Sequence, residues 1–271
     1  MRYDNLQTSL RALLLCCAIL AFAAAGCGSL PRTSIILGND TLGAPSLNVV
    51  DHNLLTGTLS RAVDDAGNIS IEKLKGDESL TRYLEQLAIA RTDVFTSRHA
   101  QLTFWINAYN AYVLDMLRLN PIKNSPSDIS RLKSAPIVIV AGKRHSLSDI
   151  ESNLIKQFRE PRMFFALVTG ERGGGQFWKE AYVEEKLSDQ LDRAVKSYFT
   201  DTVNSRLDKD KNTIFLSSFV QIHQEHFVTA AGSVVAFIRA FAPPAMAEHI
   251  DQRPTVKVSY FKFNDALRRA R

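Results

Sequence analysis

The stretch "QIHQEHF" sets His223, Glu225 and His226 within four residues. On a helix the two imidazoles, at i and i+3, could share a metal, with Glu225 as a base. Zinc helices of the His-Glu-x-x-His kind space their histidines at i and i+4 and place the glutamate directly after the first. The spacing here differs and no third ligand is placed by the sequence. These residues therefore read as core or surface histidines, and neither a metal nor another cofactor is expected. Ser-His-Asp hydrolysis has no Gly-x-Ser-x-Gly turn to carry it.

A second group lies in "TFWINAYNAYVLDML". Asn107 and Asn110 fall on one helical face, with apolar side chains around most of the remaining circumference. A buried amide must find partners. It either bonds to neighbouring backbone and pins the fold, or lines an internal cleft and orients a ligand. The third group is "ALVTGERGGGQFWKEAY", where Thr169, Glu171 and Arg172 flank Gly170 and the triplet Gly173–Gly175. The phosphate-binding templates fail: Gln176 and Phe177 stand where a P-loop needs lysine and a hydroxyl, and Trp178 where a dinucleotide fingerprint needs glycine. Arg172, beside flexible backbone at an expected helix start, could hold a carboxylate or phosphate.

The elements that must position these groups are mostly helical. Apolar stripes predict helices over "DHNLLTGTLSRAVD", "SLTRYLEQLAIA" and "EEKLSDQLDRAVKSYFTD", and a long one over "RHAQLTFWINAYNAYVLDMLRLN" ended by Pro121. "ISIEKL" reads as a short extended piece. "APIVIVAGKRHSLSDIESNLIKQF" reads as a buried strand, a turn at Gly142-Lys143, a short return and a helix capped by Ser148 and Glu151. "NTIFLS" and "PTVKVSYFKF" are strand candidates, "SSFVQIHQEHF" and "GSVVAFIRAFAP" helices, and the residues after the glycines an aromatic-led helix. Few, scattered strands among many helices predict an α+β, helix-rich single domain with a small β-sheet.

Ahead of that domain, Arg2 and Arg11 precede fourteen uncharged residues, Ala12–Ala25, and then Gly26-Cys27. A basic start, a short apolar run and small residues before the break describe a secretory signal over residues 1–26. Small residues directly before Cys27 resemble a bacterial lipoprotein signal, which would make Cys27 the lipidated residue. Glycine rather than aspartate at position 28 then favours the periplasmic face of the outer membrane. Residues 27–46 read as a flexible tether and 47–271 as one domain. The expected partners are the membrane, through the lipid, and a small-molecule or envelope-protein ligand. Setting the signal aside removes Arg2, Arg11 and Asp4, so the net charge of +5 falls to +4. Such mild, scattered basicity outside the cytoplasm gives no nucleic-acid partner. All three cysteines, Cys16, Cys17 and Cys27, lie in the signal or at its end. The domain that follows has no thiol nucleophile, disulfide or thiolate metal site.

Four stretches, "FWINAYNAYVLDML", "IVIVAGKRHSLSDIESNLI", "PRMFFALVTGERGGGQF" and "LSSFVQIHQEHF", resemble in order the landmarks of the domain of unknown function family 547. The resemblance runs from about Asp51 to Leu267. It implies a histidine at the position of Phe164, a cysteine at Thr169 and a Cys-Pro pair at Gly174-Gly175. If relatives use thiol chemistry, this chain lacks the nucleophile and the base together, and no histidine is placed to activate Thr169 instead. The expectation is an extracytoplasmic binding or scaffold module with a degenerate cleft near Asn107, Asn110, Arg162, Thr169 and Arg172, leaning away from catalysis. The alternative is an envelope hydrolase or transferase using a hydroxyl, a carboxylate or His223/His226.

Overall fold

The computed structural model describes residues 30–35 and 47–270. The expected signal and Cys27 lie outside them. Among the described residues no helix is long and apolar enough to cross a membrane.

The fold is α+β and helix-rich. The first half is helical: α1 (His52–Ala62), α2 (Ile71–Leu74), α3 (Glu78–Ala88) and α4 (Arg98–Leu119). A hairpin of β1 (Val138–Val140) and β2 (Lys143–His145) then leads into α5 (Leu147–Phe158). After a 3-10 turn over Pro161–Phe165 and a long loop comes α6 (Leu187–Thr200). β3 (Ser205–Asp208) and β4 (Thr213–Ser217) pair antiparallel. Four short helices follow: α7 (Ser218–Ile222), α8 (Gln224–Ala231), α9 (Val234–Phe241) and α10 (Pro244–Gln252). They carry the chain to β5 (Lys257–Phe261), which lies parallel to β4.

Helix α4 is the hub. From Leu102 to Leu117 all residues but Trp105 are buried, because nearly every position is apolar and neighbours pack on all sides. Its one buried carboxylate, Asp115, has no exposed surface and is held by Arg118 at 2.9 Å. Such a pair is tolerable only when the remaining valences are filled. Asp115 also accepts from the Thr33 hydroxyl at 2.9 Å and the Ser34 amide at 2.6 Å, while Arg118 donates to the Asp77 carbonyl and the Thr81 hydroxyl, both at 2.9 Å. The expectation of a free tether fails for Pro31–Ile35. That segment supplies hydrogen-bond donors a buried anion needs, and Ile35 is itself buried. The rest of the expected tether, 27–29 and 36–46, lies outside the described residues.

Several local expectations are corrected. Helix α5 is capped by Ser146 and Asp149, not Ser148 and Glu151: the Ser146 hydroxyl accepts from the Asp149 amide at 3.0 Å, and Asp149 accepts from the Ser146 amide at 2.8 Å. The hairpin turn is Ala141-Gly142, both at positive φ, one residue earlier than expected. "ISIEKL" closes into the single turn α2, capped by Ser70. No helix follows the glycines until Glu184, because Gln176–Val183 is consumed in side-chain and backbone contacts with α1, α4 and α6.

The C-terminal tail is a strap. Leu267 pairs with Glu171 and Arg269 with Ile69. Gly173 donates to the Asn264 carbonyl at 2.7 Å and Arg268 to the Gly170 carbonyl at 2.8 Å. The tail thus joins the first helices to the glycine loop.

Candidate functional site

Phe164, in the third of the quoted stretches, lies against the fourth and lines a groove with Ile155 of the second, while Asn110 of the first bonds to Ala166 and Val168 just beyond it. The 3-10 turn carrying it starts at Pro161, where proline presets φ and Glu160 caps the turn. Phe164 stacks on His223 with ring centroids 4.1 Å apart and approaches His226 at 5.0 Å. Burial pushes the His223 imidazole down to about 4; Glu151 opposes the shift, while Lys133 and His226 add to it. Lys133 forms an ion pair of 2.5 Å with Glu151. Tyr109, buried in α4, has its hydroxyl pushed well above its ordinary value by burial first, then by the negative charges of Glu151 and Glu171. Tyrosine, lysine, histidine and two carboxylates from distant parts of the chain thereby share one electrostatic neighbourhood.

Thr169 and Glu171 form the chemical pair of the loop: the threonine hydroxyl donates to the glutamate carboxylate. Glu171 is only 9% exposed. Burial raises its pKa first of all, against the pull of the Thr169 hydroxyl and Lys133. A buried carboxyl that accepts from a hydroxyl can exchange a proton with it.

The two asparagines do not open onto a cleft. Asn107 donates to the Tyr182 carbonyl at 2.8 Å and accepts from the Tyr182 amide at 2.9 Å. Asn110 donates to the Ala166 carbonyl at 2.9 Å and accepts from the Val168 amide at 3.0 Å. Each amide replaces a strand partner for an otherwise unpaired stretch of backbone. Together they clamp the two ends of the glycine loop to α4. Arg162 is likewise spent, forking to Glu160 at 2.7 Å and Asp192 at 2.5 Å as a brace between the 3-10 turn and α6.

The glycine triplet has a packing cause. A Cβ on Gly175 would lie 2.2 Å from the Phe165 carbonyl oxygen, and one on Gly173 would lie 2.7 Å from the Phe263 ring. Gly174 differs, its nearest neighbour being the Glu171 carbonyl oxygen at 3.8 Å. The triplet is a close crossing of backbones, with room for a side chain only in the middle.

Residues 94–199 match the family model described as protein of unknown function, DUF547. The match is narrower than the resemblance drawn from the four stretches and leaves out the one containing His223 and His226. It spans α4 to α6 and the loop clamped between them. No curated protein and no solved structure matches the chain.

Several grooves border the matched segment, two of them beside the residues singled out above. One, of about 580 Å³, has Pro161, Met163 and Phe164 among its lining, with His226, Lys156 and Arg159. The other, of about 1120 Å³, runs beside α6 and includes Arg172. Thr169 lines neither. Among the described residues no group of three or more His, Cys, Asp or Glu side chains is placed to hold a metal ion. Lys133, Glu151 and Tyr109 were not legible as site residues. Tyr109 and Glu151 stand in the quoted stretches, where Glu151 reads as a helix cap, and Lys133 lies outside them.

Proposed function

We propose that this chain is a binding or scaffold module of the bacterial cell envelope, tethered by lipid at Cys27 and facing the periplasm from the outer membrane. It works through the groove beside Phe164 rather than through covalent catalysis. One observation carries the reading: Phe164 lies flat against His223 where the family resemblance implies an imidazole, so an apolar ring occupies the space of a proton carrier. Thr169 and Gly174 stand where the same resemblance implies thiols. An apolar lining that includes Pro161, Met163 and the edge of Phe164, with His226, Lys156 and Arg159 beside it, suits a ligand with an apolar body and an anionic edge.

The hydrolase or transferase alternative has one observation in its favour, the Thr169–Glu171 pair, which supplies a hydroxyl and a nearby base. A fluorophosphonate probe separates the two. The binding reading expects equal labelling of the full chain and Thr169→Val. Labelling abolished by that substitution would establish a reactive threonine and overturn the reading. The anchor is tested separately: Cys27→Ser should move the protein from the membrane pellet to the soluble fraction, and continued sedimentation would contradict it.

A further inference from the structure

The larger groove is walled by one face of α6, by the Asp64–Asn68 turn and by the C-terminal strap. Its liners on α6 recur every three or four residues, from Asp189 through Asp192, Arg193 and Lys196 to Thr200, with Asp201 just past the helix end. At about 1.5 Å per residue that face is roughly 18 Å long. Two poles result. Near the C-terminal end of α6, the strap brings Arg268 and Arg269 beside Arg172, which follows Glu171 across the bridge to Leu267. Toward the N-terminal end stands Asp189.

The formal charges of the lining cancel, but their commitments do not. Asp192 is held by Arg162, Asp65 by Lys179 and Asp201 by Arg268. Asp64 accepts from the amides of Ala66 and Asn68 and from the Asn68 side chain. Arg193 is tied to Glu180 and lies over the Trp178 ring at 4.3 Å. Among the described residues, Arg172, Arg269 and Lys196 have no side-chain partner, against Asp189 alone among the acids. Arg268 is the built part of the site. Its side chain is 8% exposed, yet only Nη2 is used, donating to the Arg172 carbonyl at 2.9 Å and to Asp201 at 3.2 Å. Its Nε is buried without a partner.

We infer that the basic pole of this groove, formed by Arg172, Arg268 and Arg269, is an oxyanion site that takes a phosphate group. A carboxylate carries one charge and is satisfied by one guanidinium fork. Two exposed arginines and a buried third with unspent donors match a tetrahedral anion of higher charge. The phosphate can belong to a free phosphomonoester or to a lipid headgroup at the membrane surface. The site shares no residue with the Phe164 groove, so it stands or falls apart from the function proposed above.

The experiment is calorimetric titration of the full-length chain with inorganic phosphate and with glycerol phosphate, beside sedimentation with phosphatidylglycerol and phosphatidylcholine vesicles. Arg172→Gln and Arg269→Gln alter exposed side chains and leave the fold intact. Each should weaken phosphate binding about tenfold, and Arg253→Gln, outside the groove, should not. Saturable binding of the soluble phosphates, weakened about tenfold in both variants, supports a small-molecule ligand. Excess sedimentation with phosphatidylglycerol alone, weakened likewise in both variants, supports a headgroup. Absence of both, unchanged binding in either variant, or acetate binding as tightly as phosphate would overturn the assignment.

Discussion

At the scale of single residues, the segment that matches the family model is organised by polar side chains that serve backbone. Asn110 satisfies one carbonyl and one amide that no other group reaches, both in a buried stretch. Removing it strands both, at about 1–3 kcal/mol each. Asn110→Ala should therefore lose about 2–5 kcal/mol in urea unfolding, and a loss below 1 kcal/mol would refute the clamp. The titrating residues give opposite pH signatures. His223 has its folded pKa lowered to about 4, so its contribution is present above pH 6.5 and lost as pH falls toward 4; His52, also depressed to about 4 by burial, acts in the same direction. Glu171 has its folded pKa raised, so its contribution is present below the ordinary carboxyl value of 4.5 and lost as pH rises through the shifted one. Between pH 7 and 4 the unfolding midpoint of His223→Asn should fall less than that of the parent. Glu171→Gln should gain on the parent as pH rises from 4.5. Parallel curves for all three proteins would contradict both assignments.

At the scale of elements, the glycine loop offers an internal control. Three chemically identical neighbours face different surroundings. Gly175 crosses the Phe165 backbone where neither partner can yield, so Gly175→Ala should cost about 3 kcal/mol, the upper range for overpacking. Gly174→Ala meets only an ordinary van der Waals contact with the Glu171 carbonyl oxygen and should stay within about 0.5 kcal/mol of the parent. Thermal unfolding of the two variants checks the contrast, and equal losses would refute the close crossing. A cysteine at 174 would fit for the same reason. A proline at 175, which the family resemblance implies, would require the crossing to open.

At the scale of the whole molecule, α4 binds both ends of the described residues into one core: its C-terminal turns hold Pro31–Ile35, and its middle turns hold the loop to which the C-terminal strap is sewn. The Asp115–Arg118 pair is the hinge of that arrangement. Arg118→Ala leaves a buried carboxylate without its counter-charge and should cost about 3–5 kcal/mol. It should also expose the Pro31–Ile35 segment to trypsin at Arg32. Resistance at Arg32 together with unchanged stability would show that the segment is held by other contacts.

The sequence by itself determined the helix-rich α+β class, most helix positions and the two-sided burial of α4, because periodicity and apolar content are local properties. It also determined that Asn107 and Asn110 would need partners, and that the chain after Cys27 would lack a thiol. It left open whether those partners were backbone or ligand, since a buried amide satisfies either equally well. Only the tertiary structure decided that Asn107 and Asn110 clamp the glycine loop. Only there did Arg268, which the sequence places in a basic tail, become nine-tenths buried beside Arg172. Burial, and with it the value of a charge or an amide, is set by what arrives from elsewhere in the chain. The strap that buries Arg268 approaches residues about a hundred and two hundred positions earlier, and no local pattern carries that pairing. The same reason turned the glycines of "TGERGGGQF" from a suspected ligand cradle into the crossing point of two backbones.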